Sequence, residues 1–343
     1  MKTIVIYPSF NASYYSFYIQ GLIDTFGESN IQFSSREFPQ LPSEWLSFIY
    51  KGERELRFAI DAYDGQITIP QYAALDWCDV YGKVNLRSHI VFKEYLQKCL
   101  AIGPSFGIRT WSPSKSLWLA LRNYHPGIEG MAGAREHFGN YWRQCKYRLG
   151  LNHFAPGPSQ ENYIFCMSSL WDEIEAPRTN GFRAAFMRCC KSLEGVTFEG
   201  GFSPSASSDR TARYKEHIAA RHYPYTEWVE KTKRSTLVFN NPAVWQCHGW
   251  KLAEYLALGK AIISTPPVND LPSALVHGQH VHYVDGSEDS FRDAILTILK
   301  DHDYRKHLEK NAHDYYETYL SPHRVIERLF AYGRQTAENR VSQ

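Results

Sequence analysis

The sequence has almost no net charge. Its 343 residues include 38 lysine and arginine residues against 36 aspartate and glutamate residues, a formal charge of +2. Nucleic-acid binders concentrate basic residues, because contacts with phosphate supply much of their affinity. The charge balance therefore gives no reason to expect a nucleic-acid partner.

Long apolar runs and paired cysteines are also lacking. No run of 18 apolar residues occurs, and the opening "MKTIVIYPSF" meets Pro8 too early for the apolar core of a signal peptide. Seven cysteines, an odd number without paired spacing, indicate a reducing compartment. We therefore expect a cytoplasmic protein without a leader, for which peripheral membrane contact stays open.

Strand-like and helix-like segments alternate in both halves of the chain. The first half offers strands at 3–10, 31–35, 56–64 and 80–86, and such alternation predicts parallel strands with crossover helices. "NHFAPGPSQ" (152–160) breaks the pattern, which then restarts with a strand at 162–171 and includes a helix at 213–223. The predicted fold is α/β, with two Rossmann-like domains facing across a cleft.

The segment "CHGWKLAEYLALGKAIISTPP" (247–267) predicts a loop, a packed helix and a buried strand. Leu252, Leu256 and Leu258 cover one side of the helix, and Gly259 ends it as a left-handed cap. Glu254 is the one acid on this helix. It is either an ordinary solvated charge or a ligand-binding group.

This segment resembles the donor-binding motif of GT-B glycosyltransferases, whose pattern is roughly E-G-F-G-x-x-x-x-E-A-x-A-x-G-x-P-V-V. The resemblance spans about 150–335 and places Gly249, Glu254 and Gly259 on the second glycine, the second glutamate and the final glycine of that pattern. It implies an acceptor-binding domain at 1–152, a nucleotide-sugar-binding domain at 153–321 and a C-terminal helix, 322–343, that crosses back to the first domain. Gln246 stands where retaining families carry the first glutamate, so retention of configuration stays open.

A nucleotide sugar needs cations and backbone N–H groups for its diphosphate and paired acceptors for its ribose hydroxyls. Glu254 is the predicted ribose ligand, and the start of its helix at Gly249 is the predicted phosphate contact. Trp245 or Trp250 can stack on the nucleotide or belong to the core. Any single cation among the candidates can equally be an ordinary surface charge. The predicted donor-binding residues are Glu254, Gly249, His248, Gln246, Arg178, Arg183, Arg210, Lys215, Asn240 and Lys251.

The acceptor is expected at loops of the first domain, 9–15, 61–65 and 85–90. An inverting enzyme needs a general base there, for which Asp64 and His89 are the candidates. A turn aspartate or a capping residue explains them equally well.

No metal site is predicted. The histidines of "HGQHVH" (277–282) can bond to backbone or water, and the aspartates of "DHD" (301–303) lie where helix N-caps are expected.

The leading interpretation is a metal-independent glycosyltransferase of the hexosyltransferase type, acting in polysaccharide biosynthesis. It would move a sugar from a nucleotide-sugar donor to a glycan or lipid-linked acceptor, with no further cofactor. A GT-B nucleotide-sugar epimerase and a non-catalytic two-lobed binding protein remain the alternatives.

Overall fold

The computed structural model of the chain describes residues 2–128, 131–172, 178–204 and 212–341. The chain divides into two compact units. The first comprises Met1–Leu151, Asp270–Pro272 and Tyr319–Gln343, and the second comprises Asn152–Asn269 and Ser273–Thr318. Each unit contains a sheet and helices, so the expected α/β class is confirmed.

The first unit is built on a six-stranded sheet of order β2-β1-β3-β4-β5-β6. The strands are β1 (Thr3–Ile6), β2 (Ile31–Phe33), β3 (Trp45–Lys51), β4 (Leu56–Asp61), β5 (Val80–Lys83) and β6 (Cys99–Ala101). The helices of this part of the chain are α1 (Ala12–Phe26), α2 (Ile69–Ala74), α3 (Lys93–Leu96), α4 (Pro113–Asn123) and α5 (Ala134–Tyr147).

Strand β3 departs from the predicted parallel pattern, because it runs antiparallel to both neighbours, β1 and β4. Only residues 52–55 connect it to β4, which is too short for a crossover helix, so the chain turns straight back. The prediction missed this strand. The nearly continuous apolar run "WLSFIY", followed by the charged segment "KGERE", was the signal for it.

The second unit contains a pair of parallel strands, β7 (Tyr163–Ser168) and β8 (Thr197–Phe202), and a parallel three-stranded sheet. The latter has the order β11-β10-β9, with β9 at Leu237–Asn240, β10 at Ala261–Ser264 and β11 at His282–Tyr283. Its helices are α6 (Thr179–Ser192), α7 (Tyr225–Arg234), α8 (Trp250–Ala257), α9 (Glu288–Lys300) and α10 (His302–Tyr315).

The helix predicted at 213–223 is wrong. The structure has only a 3₁₀ turn at Lys215–His217, after which Ile218 forms a parallel bridge with Phe202 at the end of β8. Pairing of this backbone with a strand competes with helical hydrogen bonds, and Pro224 disfavours helix for the residue before it.

The last helix, α11 (Pro322–Val341), packs against α1 in the first unit. Its Phe330 ring lies 4.5 Å from the ring of Phe58 and 4.9 Å from that of Phe26. A Cβ added to Gly21 of α1 would lie 2.2 Å from the carbonyl oxygen of Pro322, so glycine allows the close approach of the two helices. Over the described residues, no helix is long and apolar enough to cross a membrane.

Candidate functional site

Polar residues end the parallel strands of the second unit. Strands β7, β9 and β10 finish at Ser168, Asn240 and Ser264, and Asn240 Nδ2 donates to Ser264 Oγ over 3.0 Å. The backbone N–H of Thr236 donates to Tyr163 O over 2.7 Å and joins the entry to β9 to the start of β7. Ligands of parallel α/β sheets bind at the carboxyl ends of the strands, so this edge is where a site is expected.

Arg183 on α6 lies at this edge and is only 7% exposed. Its Nε donates to Asn241 Oδ1 over 3.0 Å, and its Nη1 donates to Ser169 O over 2.9 Å. Loss of hydration lowers the pKa of the guanidinium to about 10, so it stays charged at neutral pH.

Lys251 on α8 is the second cation of the site. Its Nζ donates to Met167 O and, over 3.1 Å, to Ser168 Oγ. Burial of the ammonium group, followed by the positive charge of Arg183, lowers the pKa of Lys251 to about 8. Arg183 is thus close enough to disfavour the charged form of Lys251.

Both cations are held by neutral oxygens. In the parts of the chain that the structure describes, neither Arg183 nor Lys251 forms an ion pair with a carboxylate within 4.0 Å. Their positive charge is therefore not balanced by an ion-pair partner, and an anion would be stabilised beside them.

Glu254, on the same helix as Lys251, is 3% exposed. It accepts a hydrogen bond from the hydroxyl of Tyr225 at the start of α7. The interpretation of Glu254 as a solvated helix charge is therefore wrong. Its negative charge favours the charged form of Lys251, which places the two side chains in one electrostatic neighbourhood.

Helix α8 begins without a side-chain cap. Gly249 is its N-cap residue, with φ −74° and ψ 152°, which any residue can adopt. A Cβ there would meet only Ala243 Cβ, at 4.0 Å, so neither backbone angle nor packing requires glycine. At the other end of the helix Gly259 has φ +58°, the left-handed conformation that was predicted.

The remaining predicted donor residues are distributed unevenly. Asn240 is buried at the end of β9, and His248 is buried in the loop between β9 and α8. Gln246 is exposed, and its backbone is in the left-handed conformation, with φ 62°. Its carbonyl oxygen accepts a hydrogen bond from Asn269 Nδ2 over 2.9 Å. Among the contacts of the described residues, none joins the exposed Arg178 or Lys215 to Arg183 and Lys251. Arg210 lies outside the described residues.

The first unit contains a separate cavity of about 580 Å³. Phe10, from the turn before α1, and Tyr14 of α1 form one wall. The loop after β4 contributes Tyr63 and Asp64, and α5 contributes Glu136. Two of the loops predicted for the acceptor, 9–15 and 61–65, therefore meet in one cavity. Aromatic rings together with carboxylates are suited to polyhydroxylated ligands.

A buried charge network supports the cavity wall. Lys83 Nζ donates to Asp61 Oδ2 over 2.9 Å, both side chains are fully buried, and the Tyr81 hydroxyl donates to the same carboxylate. Asp61 Oδ1 also accepts from the backbone N–H of Tyr63 over 2.7 Å. This network fixes the backbone that carries Tyr63 and Asp64.

His89 is not among the residues that line the cavity. It is exposed on the 3₁₀ turn Ser88–Ile90, where the N–H of Ser88 donates to Asp270 Oδ2 over 2.7 Å. His137 of α5 lines the cavity instead, with its Nε2 3.0 Å from Ala120 O and its pKa lowered by burial. The sequence offered only the helical spacing around His137, which does not tell a cavity wall from an ordinary core.

The other histidines and the D-x-D string have local partners. His277 Nδ1 and His280 Nδ1 accept backbone N–H groups, and Asp301 caps α10 by accepting from Tyr304 N over 2.8 Å. Within the described residues, no group of three or more histidine, cysteine, aspartate or glutamate side chains is placed to hold a metal ion.

No family model and no curated protein sequence match the chain. Similar solved structures include a glycosyltransferase from Rickettsia africae, with 11% identity over 82% of this chain and 71% of that one, and a TM-score of 0.45. Anabaena Alr3699/HepE, solved with UDP and glucose, has 11% identity over 83% and 71% of the two chains and a TM-score of 0.44. A Listeria monocytogenes protein assigned as a UDP-N-acetylglucosamine 2-epimerase has 12% identity over 82% and 75%, and a TM-score of 0.41.

Proposed function

We propose that this protein is a glycosyltransferase that takes a sugar from a nucleotide-sugar donor. The observation that carries the proposal is the pair Arg183 and Lys251 at the carboxyl ends of parallel strands, two cations that donate to neutral oxygens and, within the described residues, to no carboxylate. A diphosphate supplies the negative charge that this pair lacks. The adjacent Glu254 supplies the acceptor pair for ribose hydroxyls.

The cations do more than hold the donor. When the bond between the sugar C1 and the diphosphate oxygen breaks, negative charge accumulates on the leaving nucleoside diphosphate. Arg183 and Lys251 stabilise that charge without a metal ion. The N–H groups at the uncapped start of α8, beside Gly249, add positive potential for the same phosphates.

The acceptor, a glycan or a lipid-linked saccharide, binds in the cavity of the first unit. In a single displacement, the acceptor hydroxyl oxygen forms the new bond to C1 and its proton passes to the Asp64 carboxylate. Tyr14 and Tyr63 supply ring faces for the sugar. The network of Asp61 and Lys83 holds the backbone of this wall.

Nucleotide binding tests the proposal directly. Thermal shift and calorimetry with UDP, GDP, CMP and ADP should reveal a preferred nucleotide, and Arg183→Met and Lys251→Met should each weaken its binding. Lys300→Met, at an exposed residue that ends α9, is the matched control and should bind normally. Folded Arg183→Met and Lys251→Met proteins with unchanged nucleotide affinity would overturn the proposed site.

Product analysis separates the three functions. Incubation with nucleotide sugars and a glycan acceptor should release free nucleotide, at the same initial rate with EDTA as with added Mn²⁺. An altered sugar still attached to nucleotide would identify an epimerase, and binding without any reaction would identify a binding protein. A strict metal requirement would contradict the metal-free role of the two cations.

A further inference from the structure

Helices α4 and α5 of the first unit expose large apolar side chains to solvent. On α4, Leu117, Trp118 and Leu121 are 58%, 47% and 62% exposed, and on α5 Trp142 and Tyr147 are 54% and 55% exposed. The opposite faces are buried through polar links, since Gln144 Nε2 donates to Ser116 Oγ and Asn123 Nδ2 donates to Tyr141 OH. This pair therefore exposes several large apolar side chains while it buries polar ones, a departure from the usual amphipathic order.

Cations accompany the exposed rings. Lys115 Nζ and the guanidinium carbon of Arg122 each lie 5.0 Å from the Trp118 ring centre. Lys146 Nζ lies 5.6 Å from the ring centre of Trp142 and 5.2 Å from that of Tyr147. Helix α4 has no acidic residue, while Glu136 of α5 and Glu28, 3.4 Å from Lys115, are the acids near this surface among the described residues.

A groove of about 210 Å³ with apolar and polar lining residues includes Trp118 in its wall. Ile19 and Ile23 of α1 and Phe33 of β2 line it, and Lys115 and Arg122 stand among its lining residues. Glu28 also lines the groove and pairs with Lys115, so Arg122 is the cation best placed to bind a phosphate group beside a hydrocarbon chain.

We propose that the outer face of α4 and α5, the α4–α5 face, docks on a bilayer containing anionic phospholipid. Tryptophan and tyrosine prefer the boundary between headgroups and acyl chains, leucines enter the apolar layer, and the cations bind lipid phosphates. Exposed aromatic rings are also found at protein interfaces, where lysine is depleted. The basic excess around these rings, which includes Lys115 and Lys146, favours an anionic bilayer.

The α5 helix links this face to the acceptor cavity. Its residues Glu136 and Asn140 line the cavity, while Trp142 and Lys146 are exposed on the same helix. Docking on a membrane would therefore bring the cavity close to lipid-linked molecules. The docking itself does not require that the proposed glycosyl transfer be correct.

Vesicle sedimentation without nucleotide tests the docking. The protein should bind phosphatidylcholine vesicles that contain 30% phosphatidylglycerol, and binding should fall at least tenfold on pure phosphatidylcholine or in high salt. Trp118→Ser/Trp142→Ser and Arg122→Glu/Lys146→Glu should each lower binding to the anionic vesicles at least tenfold. Because these side chains are exposed, near-ultraviolet circular dichroism and the Tm should stay unchanged.

Two control variants keep the test specific. Ile69→Ser/Ile90→Ser removes exposed apolar side chains elsewhere in the first unit, and Lys300→Glu removes an exposed cation from the second. Both should bind vesicles like the unmodified protein. The proposal is overturned if no anionic vesicle binds, or if the Ile69/Ile90 variant loses binding in place of the tryptophan variant.

Light scattering tests the alternative that the α4–α5 face binds a second copy of the chain. A concentration-dependent dimer that Trp118→Ser/Trp142→Ser abolishes would assign the face to self-association and overturn membrane docking. Nucleotide binding, measured on the same variants, should be unchanged. A failed vesicle experiment is thereby separated from a failed donor site.

Discussion

Each unit places a lysine at the carboxyl end of its sheet, and the two lysines have opposite surroundings. Lys83 in the first unit is fully buried and paired with Asp61 at 2.9 Å. Lys251 in the second unit donates to Met167 O and Ser168 Oγ, next to the positive Arg183. The first lysine has its counter-charge within the protein and serves structure, whereas the second donates to neutral oxygens, which leave its charge to favour an external anion.

Breaking the buried ion pair of Asp61 and Lys83 should give the largest effect, a loss of stability. Asp61→Asn leaves the Lys83 ammonium buried without its counter-charge, and we expect the free energy of unfolding to fall by about 3–5 kcal/mol. Urea denaturation followed by fluorescence measures it. The double variant Asp61→Leu/Lys83→Met should recover much of the loss, and a double variant as unstable as Asp61→Asn would contradict the pairing argument.

The same kind of change in the second unit should affect binding and not folding. Lys251→Met removes a charge-assisted contact with the diphosphate, so we expect nucleotide affinity to fall by about 1.5–3 kcal/mol, roughly 10- to 150-fold in Kd. Calorimetry measures the affinity. The free energy of unfolding should hold or rise, because within the described residues the lysine has no carboxylate ion-pair partner to lose. A large loss of stability with intact affinity would make Lys251 a structural residue like Lys83.

Glu254→Gln should weaken nucleotide binding by about 1.5 kcal/mol, because a neutral amide is a poorer acceptor for ribose hydroxyls than a carboxylate. Tyr225→Phe is the matched control, since it removes the hydroxyl that donates to Glu254 and keeps the carboxylate. Calorimetry should show the smaller change for Tyr225→Phe. Equal losses of affinity in the two variants would indicate that Glu254 acts through its hydrogen bond with Tyr225 and not through contact with ribose.

The pH dependence of binding should give the smallest effect. Burial lowers the pKa of Lys251 to about 8, and a bound diphosphate favours the protonated form. Nucleotide affinity should therefore hold below pH 7 and fall about tenfold between pH 7 and pH 9 as Lys251 loses its proton. Lys251→Arg stays charged over this range, so calorimetry should show a flat profile for that variant. An equal fall in the arginine variant would assign the titration to another group.

The spacing of apolar residues and the capping residues in the sequence was enough to predict elements whose formation depends on neighbours in the chain. The helix over Trp250–Ala257 and the left-handed Gly259 follow from apolar spacing and cap chemistry, and both are found. Strand β3 was missed because a short hairpin was hidden in an otherwise parallel pattern. The helix at 213–223 failed because the pairing of Ile218 with the end of β8 is a tertiary contact.

The site was predictable only in part, because burial and partners are set by distant segments. Arg183 stood in the sequence among four equivalent cations, and only its contacts with Asn241 and Ser169 distinguish it. Asp64, a candidate base from the sequence, lines the cavity together with residues of loop 9–15, while His137 reaches the cavity through the packing of α5. The ion pair of Asp61 and Lys83 joins two strands in register, a pairing that residue spacing does not reveal.

The packing of α11 on α1 also has a consequence for synthesis on the ribosome. Pro322 lies against Gly21, and Phe330 fills the space beside Phe26 and Phe58, yet almost all of the second unit is translated between these segments. The first unit therefore emerges first but cannot complete its core until residues 322–341 leave the exit tunnel. Until then the apolar side of α1 remains uncovered, and a nascent chain stalled before Pro322 would present that surface to chaperones or to other chains.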